Sequence, residues 1–434
     1  MSARRIPRGW RVVAPFLLAI SVAIVAIDGG VLGPSVAPGA RASLAVAESP
    51  AFSAENATAH LSVLSRTIGS RPAGSAAAEQ AVGYVADTWR SLGYQPVISP
   101  FQFNGFEERE VSLTILDSGD KISGSILRGS PGGDVESQLV DVGLGRAQDI
   151  DPASLQGHIA LIRRGEIRFS DKITNVAEAG AIGAVIDNSE PGGFIGSLTG
   201  AAAIPSIGIS QEDGRTLRRE LALGPPEVRL LVDGGSTEMS ASNVSAVKAG
   251  SGDGIVIVGG HIDSVPAGPG ANDNGSGTAV VTELGRAILG KTYPFEIRLA
   301  AFGAEEVGLI GSKHYVAGMS DEERQRVIGM INLDMVGVGT QLRLGGSPSL
   351  VAQGISAAST IGQSASRLTG GMSAASDHAS FIDAGMPAVF IYRSEDPNYH
   401  TANDLFEYVD SGHLDTAGRL VLAILDMLAS DAAA

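Results

Sequence analysis

The second half of the chain alternates short runs of Val, Ile and Leu with stretches of helical periodicity. This alternation predicts strands over residues 244–247, 255–258, 296–301, 327–333 and 388–392. It predicts helices over residues 277–289, 311–317, 350–365 and 412–428. Apolar strands separated by helices are expected to pair mostly in parallel, because each helix carries the chain back across a face of the sheet. We therefore predict an α/β fold, with a mostly parallel mixed sheet and helices on both faces.

Side chains able to bind a metal follow four of these predicted strands. Because open α/β sheets bind ligands at the carboxyl ends of their strands, we expect these side chains to converge at one edge of the sheet. In chain order they are His261, Asp263, Asp273, Glu305, Glu306, Asp334, Tyr399 and His400.

The chain has no cysteine, so any zinc ion must be bound by His, Asp and Glu side chains. Five ligands suffice for two zinc ions if one carboxylate bridges them. Asp273, which has a Gly-rich loop on both sides, is the natural bridge. Two such ions, roughly 3.5–4 Å apart, can share a water, lower its pKa and polarise a carbonyl. The five candidate ligands are His261, Asp273, Glu306, Asp334 and His400.

The adjacent residues Glu305 and Glu306 cannot both point easily at one metal, because neighbouring side chains diverge. We expect Glu306 to be the ligand and Glu305 to be the general base, which passes a proton from the water to the leaving amine. Asp263 could accept the second ring N–H of His261 and fix its tautomer. Asp404, four residues after the last candidate ligand, could do the same for that histidine or be a carboxylate at a helix N-terminus.

The composition narrows the possible partners. The 434 residues, 44% hydrophobic and 18% charged, are typical of a globular chain long enough for two or more domains. The formal net charge of −16 argues against nucleic acid or an anionic membrane surface as the main partner. The lack of cysteine also excludes disulfides and a cysteine nucleophile.

Residues 1–47 have the pattern of an export signal. Four arginines and no acidic residue lie in residues 1–11, and residues 12–27 form a nearly continuous apolar run. The run is shorter than the roughly 20 residues of a membrane span, and small residues suited to cleavage follow at 45–47. We therefore expect a signal peptide or an N-terminal membrane anchor and tether. In both cases the rest of the chain is exported, and is secreted or anchored to the outer face of the membrane.

The residues between this segment and the alternating half have a mixed pattern. Helical patterns begin at Ser53 and Ser75. One further helix is predicted over residues 171–179. Short strands are predicted over residues 95–103, 110–116, 139–142, 158–162, 182–186 and 228–232.

Part of this region resembles the protease-associated (PA) domain, a small β-rich insert found in several peptidase families. The resemblance rests on GHIALIRRGEIRFSDKITNVAEAGAIGAVIDN and on IPSIGIS, which begins at Ile204. It implies a role as a lid or substrate-access element rather than in chemistry, and a plain structural spacer is the alternative. We predict a PA-like insert at 105–236, which interrupts a discontinuous domain at 48–104 and 237–434 that carries the candidate zinc ligands.

Between about residues 260 and 405, the sequence resembles the M28 family of zinc aminopeptidases, in the version with a PA insert. The motifs are GGHIDSV with GANDNGSG, FGAEEVGLIGS, NLDMVG, SDHASF and YHTANDLF. The resemblance implies that Tyr399 helps to hold the tetrahedral oxyanion, although it could be only a packing aromatic, and that Phe381 lines a wall of the substrate pocket. It also implies two zinc ions, Glu305 as the base, and the ligands His261, Asp273, Glu306, Asp334 and His400.

These observations predict an exported zinc aminopeptidase that hydrolyses N-terminal residues from peptides by means of a metal-bridged hydroxide. A carboxypeptidase or dipeptidase with the same dinuclear centre is an alternative, because the motifs do not determine which terminus is attacked. A glutaminyl cyclase fits less well, since that chemistry uses one metal. A non-catalytic receptor of the same fold also fits less well, because such relatives lose ligands and this chain keeps all of them.

Overall fold

The computed structural model describes residues 51–194, 196–200, 202–370 and 376–432, so the predicted signal or anchor at 1–47 lies outside the described residues. The described α-helices are α1 (Ala54–Ser62), α2 (Ala76–Ser91), α3 (Pro152–Leu155), α4 (Phe169–Glu178), α5 (Gln211–Leu223), α6 (Gly277–Ala287), α7 (Ile310–Gly318), α8 (Asp321–Arg326), α9 (Pro348–Thr360), α10 (His378–Asp383) and α11 (Ser411–Ala432). Among them, none is both long enough and apolar enough to cross a membrane.

The described strands form one sheet that continues from the predicted peptidase domain (residues 48–104 and 237–434, called the peptidase half below) into the insert. They are β1 (Val97–Ile115), β2 (Lys121–Ile122), β3 (Gly124–Ile126), β4 (Gly133–Asp141), β5 (Ile159–Arg163), β6 (Gly183–Asp187), β7 (Ser206–Ile209), β8 (Glu227–Lys248), β9 (Gly254–His261), β10 (Phe295–Phe302), β11 (Val327–Leu333), β12 (Gln341–Gly346), β13 (Ala365–Arg367) and β14 (Ala388–Ser394).

The peptidase half of the sheet has the strand order β13, β12, β14, β11, β9, β10 and β8. Its four central strands, β14, β11, β9 and β10, are parallel to one another. The flanking strands β12 and β8 run antiparallel to their inner neighbours. The predicted α/β fold, with a mostly parallel mixed sheet, is therefore confirmed. Strands β12 and β13 lie outside the predicted set, because they are short and only two apolar residues, Leu342 and Leu344, alternate in β12.

Helices cover both faces of the central strands, as predicted. Successive residues of a strand point to opposite faces of the sheet, so alternate residues of β9 pack in two different apolar cores. Val256 and Val258 pack in the apolar core that contains residues of α1, α2, α6, α9 and α11. Ile255 and Ile257 pack on the other face, in the core that contains Val316 of α7. Burial on both faces explains why β9 is a continuous apolar run rather than an alternating one.

The strands β1 and β8 form a long antiparallel ribbon that leads from the peptidase half into the insert. Their pairing extends from Val97 opposite Ser245 to Ile115 opposite Val228, with a register shift between Glu108 and Glu110. The sequence predicted four separate strands here. Most of the residues between them are polar, charged or glycine, which lowers their intrinsic strand preference, but pairing across the ribbon satisfies their backbone groups and keeps them extended.

The insert has a smaller mixed sheet, β4, β5, β6, β7 and β3, in which β4 to β7 are parallel. Its buried apolar residues form two clusters of their own. Helix α5 adds to the single helix predicted over 171–179, and it begins where the hydroxyl of Ser210 accepts the N–H of Asp213. Its helical pattern is weak because only Leu217 and Leu221 provide the apolar face. The limits 105–236 for the insert stay a prediction.

Candidate metal centre

The register of the parallel strands brings the candidate ligands to one edge of the sheet. His261 is the last residue of β9 and pairs with Phe302, the last residue of β10. Asp334 directly follows β11, and its N–H donates to the carbonyl of Ile391 on β14 at 3.2 Å. Parallel strands that end in register deliver the residues after them to the same edge. The predicted convergence of side chains from four strands is therefore present.

Two groups of three side chains meet at this edge, and Asp273 belongs to both. In the first group, Nε2 of His261 lies 3.2 Å from Oδ1 of Asp273 and 3.3 Å from Oδ1 of Asp334. In the second group, Nε2 of His400 lies 3.1 Å from Oδ2 of Asp273 and 3.0 Å from Oε2 of Glu306. Each oxygen of Asp273 thus faces a different group, which is the arrangement that a bridging carboxylate requires.

The donor set and its spacing fit zinc. Two ligand atoms that share a tetrahedral zinc ion at about 2.0–2.2 Å lie roughly 3.3–3.6 Å apart, close to the observed separations of 3.0–3.3 Å. Oε1 of Glu306 and Oδ1 of Asp334 are buried and accept no hydrogen bond from the described residues. Buried carboxylate oxygens of this kind need a cation or a donor. With Glu305 and Asp273, these residues supply four carboxylates, whose charge two divalent ions would balance.

The pKa values show the strength of the negative field. Burial alone would lower the pKa of His261, but Asp334 and Glu305 raise it well above its usual value. Burial would also lower the pKa of His400, but its hydrogen bonds to Asp273 and Glu306 raise that pKa to about 10. Burial and then Asp273 raise the pKa of Glu306 to about 7. The carboxylates thus favour positive charge at both imidazoles, and a metal ion at the same place would supply that charge.

The backbone around the centre adopts unusual conformations. Ala304, Leu309, Met335 and His400 all have positive φ values, between 55° and 60°. A positive φ is uncommon for residues with a side chain, and such residues cluster at functional sites. One of the four, His400, is itself a candidate ligand, and the other three lie within three residues of one. The local conformation is therefore determined by the site rather than by intrinsic preference.

The candidate bridging residue, Asp273, lies in a loop whose backbone N–H groups are held by hydrogen bonds. The carboxylate of Asp404 accepts the N–H of Asn272 at 2.7 Å and the N–H of Asp273 at 2.9 Å. The described residues contain no hydrogen bond between Asp404 and His400, so the prediction that Asp404 orients His400 is wrong. The two N–H groups belong to the first turn of the short helical segment Ala271–Ser276, so Asp404 is a carboxylate at the N-terminus of that segment and not of the helical turn Phe406–Tyr408. The carboxylate is already occupied by the loop that presents Asp273.

Asp263 supports the glutamate pair rather than the histidine. Its carboxylate accepts the N–H of Glu305 at 3.0 Å and the N–H of Glu306 at 3.2 Å. Nδ1 of His261 lies 3.1 Å from the backbone carbonyl of Asp263 but 3.7 Å from its carboxylate. The predicted partner of the second ring nitrogen was the carboxylate, and the hydrogen bond goes instead to the carbonyl of the same residue. The carboxylate fixes the turn in which Glu305 and Glu306 diverge.

A pocket of about 310 Å³ opens beside the two ligand groups. Glu305 and Tyr399 line it together with the ligands Asp273, Glu306, Asp334 and His400. The ring of Tyr399 stacks on His400 with 3.8 Å between centroids, and 47% of Tyr399 is exposed. Tyr399 is therefore an exposed pocket residue and not a core aromatic. The apolar part of the wall is formed by Leu309, Met335, Phe390 and Tyr392.

Phe381 does not line this pocket, so that prediction is wrong. Its ring is fully buried and packs with Phe302 and Tyr315, with centroids 6.0 and 6.1 Å apart. Phe390 and Tyr392, at alternate positions of β14, take the place that the prediction assigned to it. Alternate strand residues share a face, and this period was the sequence signal that could have identified them.

The sequence analysis also missed Arg71, which is fully buried beneath the loop that leads to Asp273. Burial lowers the pKa of its guanidinium to about 10. The surrounding sequence, SRPAGS, indicates only a loop, so it carries no signal that Arg71 is buried and holds other backbone segments. The guanidinium donates hydrogen bonds to the backbone carbonyls of Leu64, Gly69, Ile262, Pro269 and Gly270.

Comparison with known proteins places this centre in a family. A model of peptidase family M28 matches residues 243–425, and a model of the PA domain matches residues 135–217. Aminopeptidase YwaD of Bacillus subtilis is 34% identical over 436 residues, which cover 94% of this chain and 92% of the relative. Leucine aminopeptidase 2 of Trichophyton equinum is 34% identical over 261 residues, 59% of this chain and 52% of the relative.

Two solved structures share the fold over most of the chain. BSAP, a zinc aminopeptidase from Bacillus subtilis, superposes with a TM-score of 0.77 at 32% identity, covering 88% of this chain and 96% of BSAP. An aminopeptidase from Aneurinibacillus sp. strain AM-1 superposes with a TM-score of 0.69 at 35% identity, covering 87% of this chain and 94% of the aminopeptidase. Similarity of this extent shows that the chain belongs to peptidase family M28 and carries a PA domain.

Proposed function

We propose that the protein is a zinc-dependent aminopeptidase that hydrolyses N-terminal residues from peptides. The observation that carries this proposal is the position of Asp273 between two ligand groups at the edge of a pocket lined by Glu305. The names of the relatives, which include aminopeptidases and a zinc aminopeptidase, support it.

Two zinc ions would be held at this centre. His261, Asp273 and Asp334 would hold one ion, and Asp273, Glu306 and His400 would hold the other. When bound, the ions supply Lewis-acid polarisation of the scissile carbonyl and a water of lowered pKa. All five ligands come from strand ends and loops that the fold holds in place, so the site is organised before substrate binds.

Glu305 is proposed as the general base. It borders the same pocket as the ligands, and it has no place in either ligand group. Asp263 fixes the backbone of both glutamates, so the Glu305 carboxylate can point into the pocket while the Glu306 carboxylate points at His400. From there Glu305 takes a proton from the attacking water and passes it to the leaving amine.

Tyr399 is proposed to donate its hydroxyl to the oxyanion that develops on the substrate carbonyl. The ring is held by its stacking on His400, which keeps the hydroxyl beside the ligand groups. Burial raises the pKa of the phenol above its usual value, so the hydroxyl keeps the proton that it needs to donate. A donor aimed at the position of developing charge stabilises the transition state more than the substrate.

The lining of the pocket favours attack at the N-terminus over attack at the C-terminus. Among the described residues that line it there is no Lys or Arg, whereas Glu305 and three ligand carboxylates are present. A terminal carboxylate finds no basic side chain there to bind it, whereas carboxylate oxygens can accept hydrogen bonds from a free α-amine. The wall formed by Leu309, Met335, Phe390 and Tyr392 suits a bulky apolar first side chain.

A panel of aminoacyl p-nitroanilides with and without added zinc tests the proposal. We expect release of p-nitroaniline from the Leu and Met derivatives, with little from the Asp derivative, and no hydrolysis after chelation until zinc is restored. N-acetyl-leucine p-nitroanilide should resist hydrolysis. Cleavage of the acetylated substrate at an equal rate would contradict an aminopeptidase. Hydrolysis of N-acetyl-leucyl-leucine, which has a blocked N-terminus and a free C-terminal carboxylate, would favour the carboxypeptidase alternative.

The export of the protein is a separate proposal, supported by the four arginines and the apolar run within residues 1–27. Cell fractionation followed by N-terminal sequencing tests it. A mature N-terminus near residue 47 would indicate a cleaved signal, and an intact N-terminus in the membrane fraction would indicate an anchor. Recovery of the intact chain from the cytoplasm would contradict export.

A further inference from the structure

Glu306 borders a second cleft, of about 380 Å³, in addition to the metal pocket. One part of its lining comes from the peptidase half, including Pro72, Pro266 and Val307. The other part comes from the insert, including Phe106 and Arg128. The cleft thus connects the metal centre with the PA domain, and a molecule bound at the ligands could extend along it.

Arg128 has a charge that nothing in the described structure neutralises. It is half-buried, and among the described residues its guanidinium forms no ion pair or side-chain hydrogen bond. Several arginines of the insert are paired with carboxylates: Arg109 with Asp233, Arg218 with Asp187, and Arg229 with Asp134. Others, such as Arg163, Arg168 and Arg215, form no ion pair among the described residues but are exposed to solvent, whereas Arg128 is half-buried in the wall of a cleft.

The backbone that carries Arg128 is held in position. The N–H of Arg128 donates to the carbonyl of Gly196 at 2.9 Å, and its own carbonyl accepts the N–H of Leu198 at 2.7 Å. Apart from Glu306, Arg128 is the only charged residue among the described residues that line the cleft. The rest of the lining is apolar or uncharged, so the guanidinium is the one group there that can select a ligand by charge.

The course of a bound peptide follows from the proposed function, on which this inference rests. The first side chain lies in the apolar pocket beside Met335, and the scissile carbonyl lies at the ligands. The remainder of the peptide must leave the centre by another opening, and the cleft bordered by the same Glu306 provides one. Its apolar walls at Phe103, Phe106 and Pro266 suit the peptide backbone and side chains.

We propose that this cleft binds the part of the substrate beyond the scissile bond, and that the Arg128 guanidinium binds a carboxylate of that part. A guanidinium recognises a carboxylate with two parallel hydrogen bonds, which gives direction as well as charge. The carboxylate can be the C-terminus of a short peptide or an acidic side chain of a longer one. The PA domain thereby contributes a specificity-determining residue and does not only cover the site.

The test measures kcat/KM of the full chain, loaded with zinc, on leucyl peptides of two to five residues. Each peptide is used with a free C-terminal carboxylate and as its C-terminal amide. A second set of amides places Asp or Asn at each position after the leucine. We expect the wild-type protein to prefer one carboxylate-bearing set by about tenfold, mainly through KM, and Arg128→Gln to abolish that preference.

Two controls separate the role of Arg128 from general damage. Leucine p-nitroanilide has no downstream carboxylate, so Arg128→Gln should hydrolyse it at the wild-type rate. Arg215→Gln removes an exposed arginine of α5 in the same insert that does not line the cleft, and it should keep the preference. Arg128→Lys, which retains charge but not the paired donors, should show an intermediate preference.

The outcomes distinguish this inference from the proposed function. If the free-acid peptides show the preference, the C-terminus is the bound group; if the Asp-containing amides show it, the bound group is a side chain. Equal effects of Arg128→Gln on acids, amides and the p-nitroanilide would overturn the inference while the proposed function stands. A wild-type protein that fails on leucine p-nitroanilide would overturn both.

Discussion

The carboxylate of Asp404 accepts the backbone N–H of Asp273 at 2.9 Å. This hydrogen bond connects the bridging candidate to a residue 131 positions later in the chain, and the same carboxylate accepts the neighbouring N–H of Asn272. Asp404 therefore acts as a positioning residue that holds Asp273 by its backbone and is not itself a member of either ligand group.

Replacing Asp404 by Ala should weaken zinc binding although all five ligands remain. Loss of both acceptors frees the loop, and removal of a group that orients a ligand typically costs roughly 10–100-fold in metal affinity. Zinc dissociation constants measured by competition with a chromogenic chelator check this. Asp383→Ala, which removes an exposed carboxylate of α10, is the matched control. Equal zinc affinity in the Asp404 variant and in the control would refute the role.

Replacing Glu305 by Gln should remove turnover and leave zinc content unchanged. A general base contributes about 10²–10⁴-fold to kcat, and Gln has nearly the same shape but cannot take a proton. The kcat on leucine p-nitroanilide is measured alongside zinc content by atomic absorption. A variant with two zinc ions and wild-type kcat would eliminate Glu305 as the base, and a variant without zinc would show that Glu305 is needed for the metal itself.

Replacing Asp273 by Ala should reduce zinc content more than replacing any ligand that belongs to one group. Asp273 lies in both ligand groups, whereas Asp334 lies only in the first. We expect Asp334→Ala to retain about one zinc ion per chain and Asp273→Ala to retain less than that. Metal analysis after gel filtration in chelator-free buffer compares them. Retention of two ions in the Asp273 variant would be incompatible with a bridge.

Replacing Tyr399 by Phe should lower kcat with little change in KM. The hydroxyl would act mainly in the transition state, so its loss should cost roughly 10–100-fold, less than a fully buried donor because Tyr399 is half exposed. Steady-state kinetics on leucine p-nitroanilide provide the measurement. Tyr408→Phe removes an exposed hydroxyl outside the pocket and serves as the control. If both variants match the wild type, Tyr399 is only a packing aromatic.

Replacing Arg71 by Met should destabilise the protein by about 3 kcal/mol or more. Five backbone carbonyls would lose the guanidinium, and three of them, those of Gly69, Ile262 and Pro269, have no second donor among the described residues. Each buried acceptor left unpaired costs about 1–3 kcal/mol, partly recovered by relaxation of the loop. The urea midpoint of the zinc-loaded protein reports this. Arg90→Met, which removes an exposed arginine paired only with Asp87, should change the midpoint little. An unchanged midpoint in the Arg71 variant would show that water replaces the guanidinium.

Local patterns were sufficient for the parts of the fold in which each element carries its own signal. The predicted strand 327–333 matches β11 at both ends, because an apolar run between charged and polar residues defines it. Strands β1 and β8 were divided into four because charged residues and glycine interrupt their apolar runs. Their continuity depends on pairing with each other, and that pairing is a property of residues more than a hundred positions apart.

The same distinction between local patterns and contacts of distant segments applies to the site. The type and order of the ligands were evident from the sequence, because a strand that ends in His, Asp or Glu can be recognised one strand at a time. The partners of Asp263 and Asp404 were not, because a carboxylate can accept from any donor that the fold brings near. For Asp263 these donors are the N–H groups of Glu305 and Glu306, which belong to the neighbouring strand end.

The sequence by itself therefore determined the α/β class, the family and the set of candidate metal ligands. These depend on side-chain chemistry and on periodicity within short segments. Only the tertiary structure decided which oxygen of Asp273 faces which histidine, that Phe390 rather than Phe381 borders the pocket, and that Arg128 of the insert lies in a cleft with Glu306. Those relationships join distant segments, and the packing of the whole chain sets them.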